Sequence, residues 1–218
     1  MLILFIRRLV TGLPVLLALS ACSSYVETYG YGWVKESPLP AELVTEVHLP
    51  EGAPSISQRF RPEELSLDGG HMGFDIVVPS RTPVLAVTDG EVASVELSFL
   101  YGRQVMVNHG QTAAGFRVQS RYFHLSEQLV MPGEKVSRGQ LLGFTGATGV
   151  AAGFFPHLHF EVYRLNKGPP PFAIKNIDPQ KFWVDGVGMI TCFDIDHKFP
   201  IDQAAFTYPV PCKDIAWR

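Results

Sequence analysis

The chain has only three cysteines in 218 residues, and none stands in a C-x-x-C pair, which argues against a metal role for them. It has no basic excess: 18 lysines and arginines against 21 acids leave a formal net charge of −3. A nucleic-acid partner would favour a basic face, so none is expected. The long apolar run, Leu9 to Leu19, falls short of the about 20 residues that a spanning helix needs. Beyond Asp68 no stretch holds a helical period, and no internal repeat or low-complexity tract occurs. What is present is a globular composition, 46% hydrophobic and 11% aromatic, enough for one core with appendages.

Arg7 and Arg8 precede the apolar run, which ends in small residues, so residues 1–21 are expected to be an export signal. The junction Leu19-Ser20-Ala21-Cys22 resembles the lipobox of bacterial lipoproteins, in which the cysteine is acylated and becomes the new amino terminus. That resemblance implies lipidation at Cys22 and, with Ser23 in place of an aspartate, sorting to the outer membrane of a Gram-negative cell, facing the periplasm. Acyl chains contribute about 0.8 kcal/mol per buried methylene, and more than one chain makes a stable anchor. Cleavage leaves 16 basic and 21 acidic side chains, a net charge of −5. In an oxidising compartment Cys192 and Cys212, separated by a short proline-bearing loop, are expected to pair. Closing such a loop contributes roughly 3 kcal/mol.

Residues 22–61 are rich in Ser, Tyr, Pro and Gly, with Pro38, Pro40, Pro50 and Pro54 interrupting regular structure, and are expected to form a tether. Leu43 to Val47 has the alternative of an edge strand. From Asp68 short apolar runs lie between turn residues: Ile76–Val78, Val84–Val87, Glu91–Glu96, Val105–Asn108, Val118–Phe123, Leu141–Thr145 and His159–Arg164. With Gly, Asp-Gly and Pro-Gly turns between them, they predict an all-β, hairpin-rich domain over residues 62–184. Asp178 to Phe182 resembles a helical turn that packs Phe182 and Trp183 on the core, and residues 185–218 are expected to be a tail carrying the cysteine pair.

Three separated motifs carry the chemistry: His71-Met72-Gly73-Phe74-Asp75, Tyr122-Phe123-His124-Leu125 and His157-Leu158-His159-Phe160-Glu161. Gly69, Gly70 and Gly73 argue against a helix in the first, where each costs about 1 kcal/mol relative to alanine. On an extended chain alternate residues share a face, so His71 and Asp75 point the same way with only the hydrogen of Gly73 between them, which leaves room for an ion. The same period puts His157 and His159 on one face and Leu158 and Phe160 on the other. His71, Asp75 and one of the paired histidines would supply three ligands, and zinc sites that do chemistry keep a fourth position open.

These residues resemble the lysostaphin and LytM-type zinc endopeptidases of bacterial cell walls. The resemblance runs from His71 to Val162. It includes V-x-A-x-x-D-G-x-V at Val84 to Val92, Tyr101-Gly102, Y-x-H-L at Tyr122 to Leu125 and V-x-x-G-Q-x-L-G at Val136 to Gly143. The Asp89-Gly90 turn and the Gly139-Gln140 segment also occur in carrier and phospho-histidine domains built on the same hairpin motif, so they speak for fold. The pairing of H-x-x-x-D with H-x-H and a third histidine speaks for activity. The resemblance implies an antiparallel LytM-type domain of the duplicated hybrid motif, with His71, Asp75 and His159 as ligands of one zinc ion and His124 and His157 as catalytic imidazoles. The implied activity is hydrolysis of amide bonds in peptidoglycan stems or cross-links. The alternative is a non-catalytic envelope lipoprotein that binds or activates a cell-wall amidase.

The remaining histidines carry plainer expectations. His109 stands where a strand meets a turn and suits a structural hydrogen bond, while His48 and His197 suit the surface. Glu161 shares a face with His159 and suits a salt-bridged or solvated carboxylate. The sequence departs from the family pattern upstream, where Gln58-Arg59-Phe60-Arg61-Pro62 is a loose counterpart of its lead-in segment and the oxyanion partner has no assigned position. It departs again at Ala151 to Pro156, where Phe154 and Phe155 would line or partly cover the groove.

Overall fold

A computed structural model describes residues 25–28, 32–35, 46–62, 70–112, 115–165, 174–200 and 205–217. The export signal, Cys22 and residues 23–24, 29–31 and 36–45 of the tether lie outside the described residues. Short β-rich segments and tight turns give thirteen strands among the described residues: β1 (Tyr25–Thr28), β2 (Gly32–Lys35), β3 (Ile56–Gln58), β4 (Gly73–Ile76), β5 (Pro83–Leu85), β6 (Gly90–Ser98), β7 (Gly102–Gln111), β8 (Arg117–Leu125), β9 (Glu127–Gln128), β10 (Lys135–Val136), β11 (Leu141–Phe144), β12 (Leu158–Leu165) and β13 (Ile174–Ile177). All of their pairings are antiparallel. Helical structure among the described residues is confined to two 3-10 turns, Val150–Ala152 and Pro179–Phe182, and no described helix is long and apolar enough to cross a membrane.

The main sheet runs β10-β6-β7-β8-β12-β4-β3, with β13 also paired to β12, and a small sheet runs β5-β11-β9. β4 and β13 lie end to end along one side of β12: Leu158 to Glu161 face Ile76 to Gly73, and Val162 to Leu165 face Ile177 to Ile174. The pleat sorts the side chains. Phe74 and Ile76, Val105 and Val107, Val118 and Tyr122, and Leu158, Phe160 and Val162 are buried in a core shared with Val84 of β5 and Leu142 of β11. The alternate positions Asp75, Phe123, His159 and Glu161 occupy the opposite face.

The expected strands are present with shifted ends. The first apolar run contributes β4 at Gly73–Ile76, which starts three residues and ends two residues before the predicted Ile76–Val78. Two domain boundaries differ from expectation. Ile56–Gln58 is not tether but the edge strand of the main sheet, pairing with β4, and Arg61 bridges His71, so the domain begins well before residue 62. Of the stretch with the edge-strand alternative, Leu43 to Thr45 lie outside the described residues and Glu46 and Val47 are irregular, while His48 bridges Met189.

The tail is likewise no appendage. Phe206, Tyr208 and Val210 are fully buried in the core, held by backbone bonds from Leu85 to Pro209, Thr207 to Val87 and Tyr208 to Thr191. Their i, i+2, i+4 spacing is that of an extended segment, obscured in the sequence by Pro209 and Pro211. A Cys192–Cys212 disulfide closes the segment onto the domain. Pro179–Phe182 forms the expected turn, with Asp178 accepting from the Gln180 N–H and Phe182 and Trp183 buried.

Candidate metal centre

Strand register assembles the site. β12 sets His159 opposite Asp75 of β4, and the chain before β4 returns His71 to the same face. His71 Nε2 lies 3.2 Å and His159 Nδ1 2.7 Å from Asp75 Oδ1, and the three donor atoms all fall within 4.8 Å of one another. Donor separations of about 3.3 Å are the edge of a tetrahedron with bonds of about 2.0–2.1 Å, so the set fits a small borderline cation such as zinc. His157 Nε2 stands 3.7 Å from the same carboxylate oxygen, and the His124 and His157 rings are 4.8 Å apart. His71, Asp75, His124, His157 and His159 thus converge on one cavity of about 330 Å³, also lined by Gln58, Tyr101 and Glu161.

The second nitrogen of each ring has a partner, which the sequence left unassigned. Nδ1 of His71 donates to the Arg59 carbonyl at 3.1 Å, that of His124 to Thr148 at 2.9 Å, and that of His157 to Phe155 at 2.9 Å. Those three rings therefore turn Nε2 inward. His159 is reversed: Nδ1 faces Asp75 and Nε2 lies 2.9 Å from Glu161 Oε1. Backbone carbonyls leave no side-chain signature, which is why motif reading could not find these partners.

His124 reaches the cavity by a backbone device. On β8, Val118, Ser120 and Tyr122 face the core, and simple alternation would send His124 the same way. Its φ of 62° breaks the alternation. A left-handed conformation is uncommon for a non-glycine residue and marks a local constraint.

Electrostatics separates the groups. Burial works to raise the Asp75 carboxyl, but the charges and hydrogen bonds of His71 and His159 outweigh it and hold it well below the usual range. Burial disfavours a charged His159, yet its bonds to Asp75 and Glu161 push it up to about 9. Burial, then the neighbouring His157, pulls His124 down to about 4. Glu161 is held low because the His159 bond and charge outweigh burial, assisted by Tyr163 and Asn176.

Outside the centre, His109 is structural: Nδ1 donates to the Asp89 carbonyl at 2.9 Å and Nε2 lies 2.7 Å from Ser120 Oγ. His48 and His197 are exposed. Phe155 lines an adjoining cavity of about 250 Å³ with Ser57, Val77 and His157, whereas Phe154 is 89% exposed and lines neither cavity.

A His–Asp–His donor set with two further imidazoles, carried on an antiparallel sheet, is the arrangement of a metal-dependent hydrolase fold, and residues 69–171 match the model of peptidase family M23. The chain carries a domain of that family. All five converging residues lie inside the match. A 124-residue stretch is 39% identical to the peptidoglycan DD-endopeptidase ShyA of Vibrio cholerae, covering 55% of this chain and 27% of that protein. A 150-residue stretch is 32% identical to an uncharacterized metalloprotease of Haemophilus influenzae, covering 68% of this chain and 28% of that protein. The chain therefore spans little more than a quarter of either relative. Among solved structures, the antimicrobial peptidase lysostaphin of Staphylococcus simulans matches with a TM-score of 0.50 at 25% identity, covering 72% of this chain and 61% of that one.

Proposed function

We propose that the protein is a zinc-dependent endopeptidase that hydrolyses amide bonds in peptidoglycan stem peptides or cross-links. The observation that carries this reading is the convergence of His71, Asp75 and His159 with His124 and His157 on one open cavity. The family match and the ShyA likeness support the substrate class.

In this reading His71, Asp75 and His159 hold the ion. Zinc supplies Lewis acidity, making water nucleophilic near neutral pH and polarising a carbonyl. His124 is neutral at pH 7, with its Nδ1–H committed to Thr148, so its Nε2 lone pair is available to accept a proton from the attacking water. His157, oriented by the Phe155 carbonyl, supplies the second imidazole, for the leaving amine or the developing oxyanion. Gln58, on the edge strand beside Asp75, is an upstream polar group that lines the same cavity. We further propose that lipidation at Cys22 tethers the domain to the periplasmic face of the outer membrane. Fractionation of a Cys22→Ala variant tests this, and continued membrane association would contradict it.

The functional test is digestion of purified peptidoglycan by the chain from Ser23 onward, with products read by mass spectrometry alongside zinc content and a chelator control. New fragments that disappear with chelator are expected. Zinc-loaded protein that binds sacculi and cuts nothing would refute the enzyme and favour the amidase-activating alternative.

A further inference from the structure

We propose that Glu161 is a positioning residue of the metal centre: it fixes His159 in the tautomer that presents Nδ1 to the ion, held in turn by Tyr163 and Asn176. The proposal rests on the ligand reading above and extends it to Glu161, to which the motif reading gave no part in the centre, and to Tyr163 and Asn176, which lie outside the motifs.

The reversal of His159 is the starting point. A nitrogen that faces a metal must be unprotonated, so a ring using Nδ1 has to keep its proton on Nε2, and an acceptor there selects that form. His71, His124 and His157 each take a backbone carbonyl at Nδ1. His159 alone depends on a side chain, Glu161 Oε1 at 2.9 Å. The i, i+2 spacing on β12 puts the two on one face, with Glu161 next to the ring it must hold.

Glu161 is itself fixed. It is 7% exposed, and a carboxylate so buried persists only when its oxygens are engaged. Oε2 accepts from the Tyr163 hydroxyl and from Asn176 Nδ2 at 3.0 Å. Asn176 also donates to the Met72 carbonyl at 3.3 Å, tying the same clamp to the segment that carries His71. Tyr163 and Asn176 face one another across the β12–β13 register. Space for the carboxylate comes from Gly73, directly opposite on β4: a Cβ there would lie 2.9 Å from Glu161 Cγ and 2.2 Å from the Phe160 carbonyl oxygen.

The test measures zinc affinity by chelator competition and the protonation site of the His159 ring by nitrogen-15 NMR, for the native chain and for Glu161→Met, Glu161→Gln and Tyr163→Phe. Glu161→Met is expected to weaken zinc binding roughly 10–100-fold, the usual effect of losing such a partner, and to lose the Nε2–H signature. Glu161→Gln, whose amide oxygen still accepts, should recover most of the affinity, which a purely structural role for the charge would not produce. Tyr163→Phe should keep the tautomer and lose less. Native affinity in Glu161→Met overturns the proposal. If that variant does not fold, the native protein decides, because a His159 that binds zinc through Nε2 overturns it equally. No readout involves cleavage, so a chain that holds zinc this way and cuts no peptidoglycan refutes the enzymatic reading and leaves this one standing.

Discussion

His159 and Asp75 stand opposite one another on adjacent antiparallel strands, Nδ1 2.7 Å from Oδ1, although 84 residues separate them in sequence. The contact is a product of register. A one-residue slip of β12 would turn His159 into the core and bring Phe160 to the metal face. Leu158, Phe160 and Val162 are all fully buried, so that slip would expose three large apolar side chains, and the packing that stabilises the sheet therefore also fixes the donor atoms of the candidate centre.

The backbone at His124 dictates which variant tests its role. At φ 62° an alanine would add backbone strain to the loss of the ring, whereas asparagine tolerates this region. His124→Asn is expected to retain zinc at native stoichiometry and to lose kcat on peptidoglycan by about 10²–10⁴-fold, the range for a general acid or base. Native turnover in a folded, zinc-loaded His124→Asn protein would remove the residue from the mechanism.

Gly73→Ala should damage sheet and centre together. The added methyl would sit 2.2 Å from the Phe160 carbonyl oxygen, which is backbone and cannot swing aside. Overpacking of this kind costs at least about 1–3 kcal/mol. A lower urea midpoint with reduced zinc content is the expected result, and a native midpoint would show that β4 and β12 separate more easily than their register implies.

The comparison of Gly73 with Phe206 explains what the sequence disclosed and what it hid. Motif spacing with strand periodicity is enough to bring His71, Asp75, His157 and His159 to one face, because alternation is a local rule. It is insufficient for His124, whose entry depends on a left-handed φ, and it misplaces the reason for Gly73, which makes room for Glu161 and the β12 backbone rather than for an ion. Asn176 and the carbonyls of Arg59, Thr148 and Phe155 come from distant segments or from the main chain, and neither carries a pattern. The tail was obscured for a different reason: prolines at 209 and 211 read as loop, while the segment that holds them lies extended beside β5 and buries Phe206, Tyr208 and Val210.

That insertion gives the Cys192–Cys212 disulfide a definite energetic role. It closes a loop with a sequence separation of 20, for which chain entropy predicts about 3 kcal/mol, and it holds three buried aromatic and aliphatic side chains in the core. Reductant should lower native stability by about that amount. A Cys192→Ala/Cys212→Ala variant should start from the lowered value and show no response to reductant. Equal urea midpoints for the native chain with and without reductant would contradict this.

His109 makes stability depend on pH away from the metal centre. Burial, reinforced by the Arg138 charge and only partly offset by its bond to the Asp89 carbonyl, lowers its pKa from 6.5 to about 4. The unfolded chain therefore takes up a proton near pH 6.5 that the folded chain refuses until about pH 4. Between those values the unfolded state binds more protons, so stability rises with pH; it is fully present above the window and falls on acidification. At about 1.4 kcal/mol per pH unit the loss attributable to this ring approaches 3 kcal/mol at the lower end. Other groups titrate in the same range, so the quantity to measure is the difference between native and His109→Gln chains in urea unfolding across the window. His109→Gln is expected to be less stable than native at neutral pH, having lost a fitted ring between Asp89 and Ser120, but to have a shallower pH slope below about pH 6.5. Parallel slopes would mean that His109 is protonated in the folded core or that the segment opens locally to hydrate it, and either would overturn the linkage.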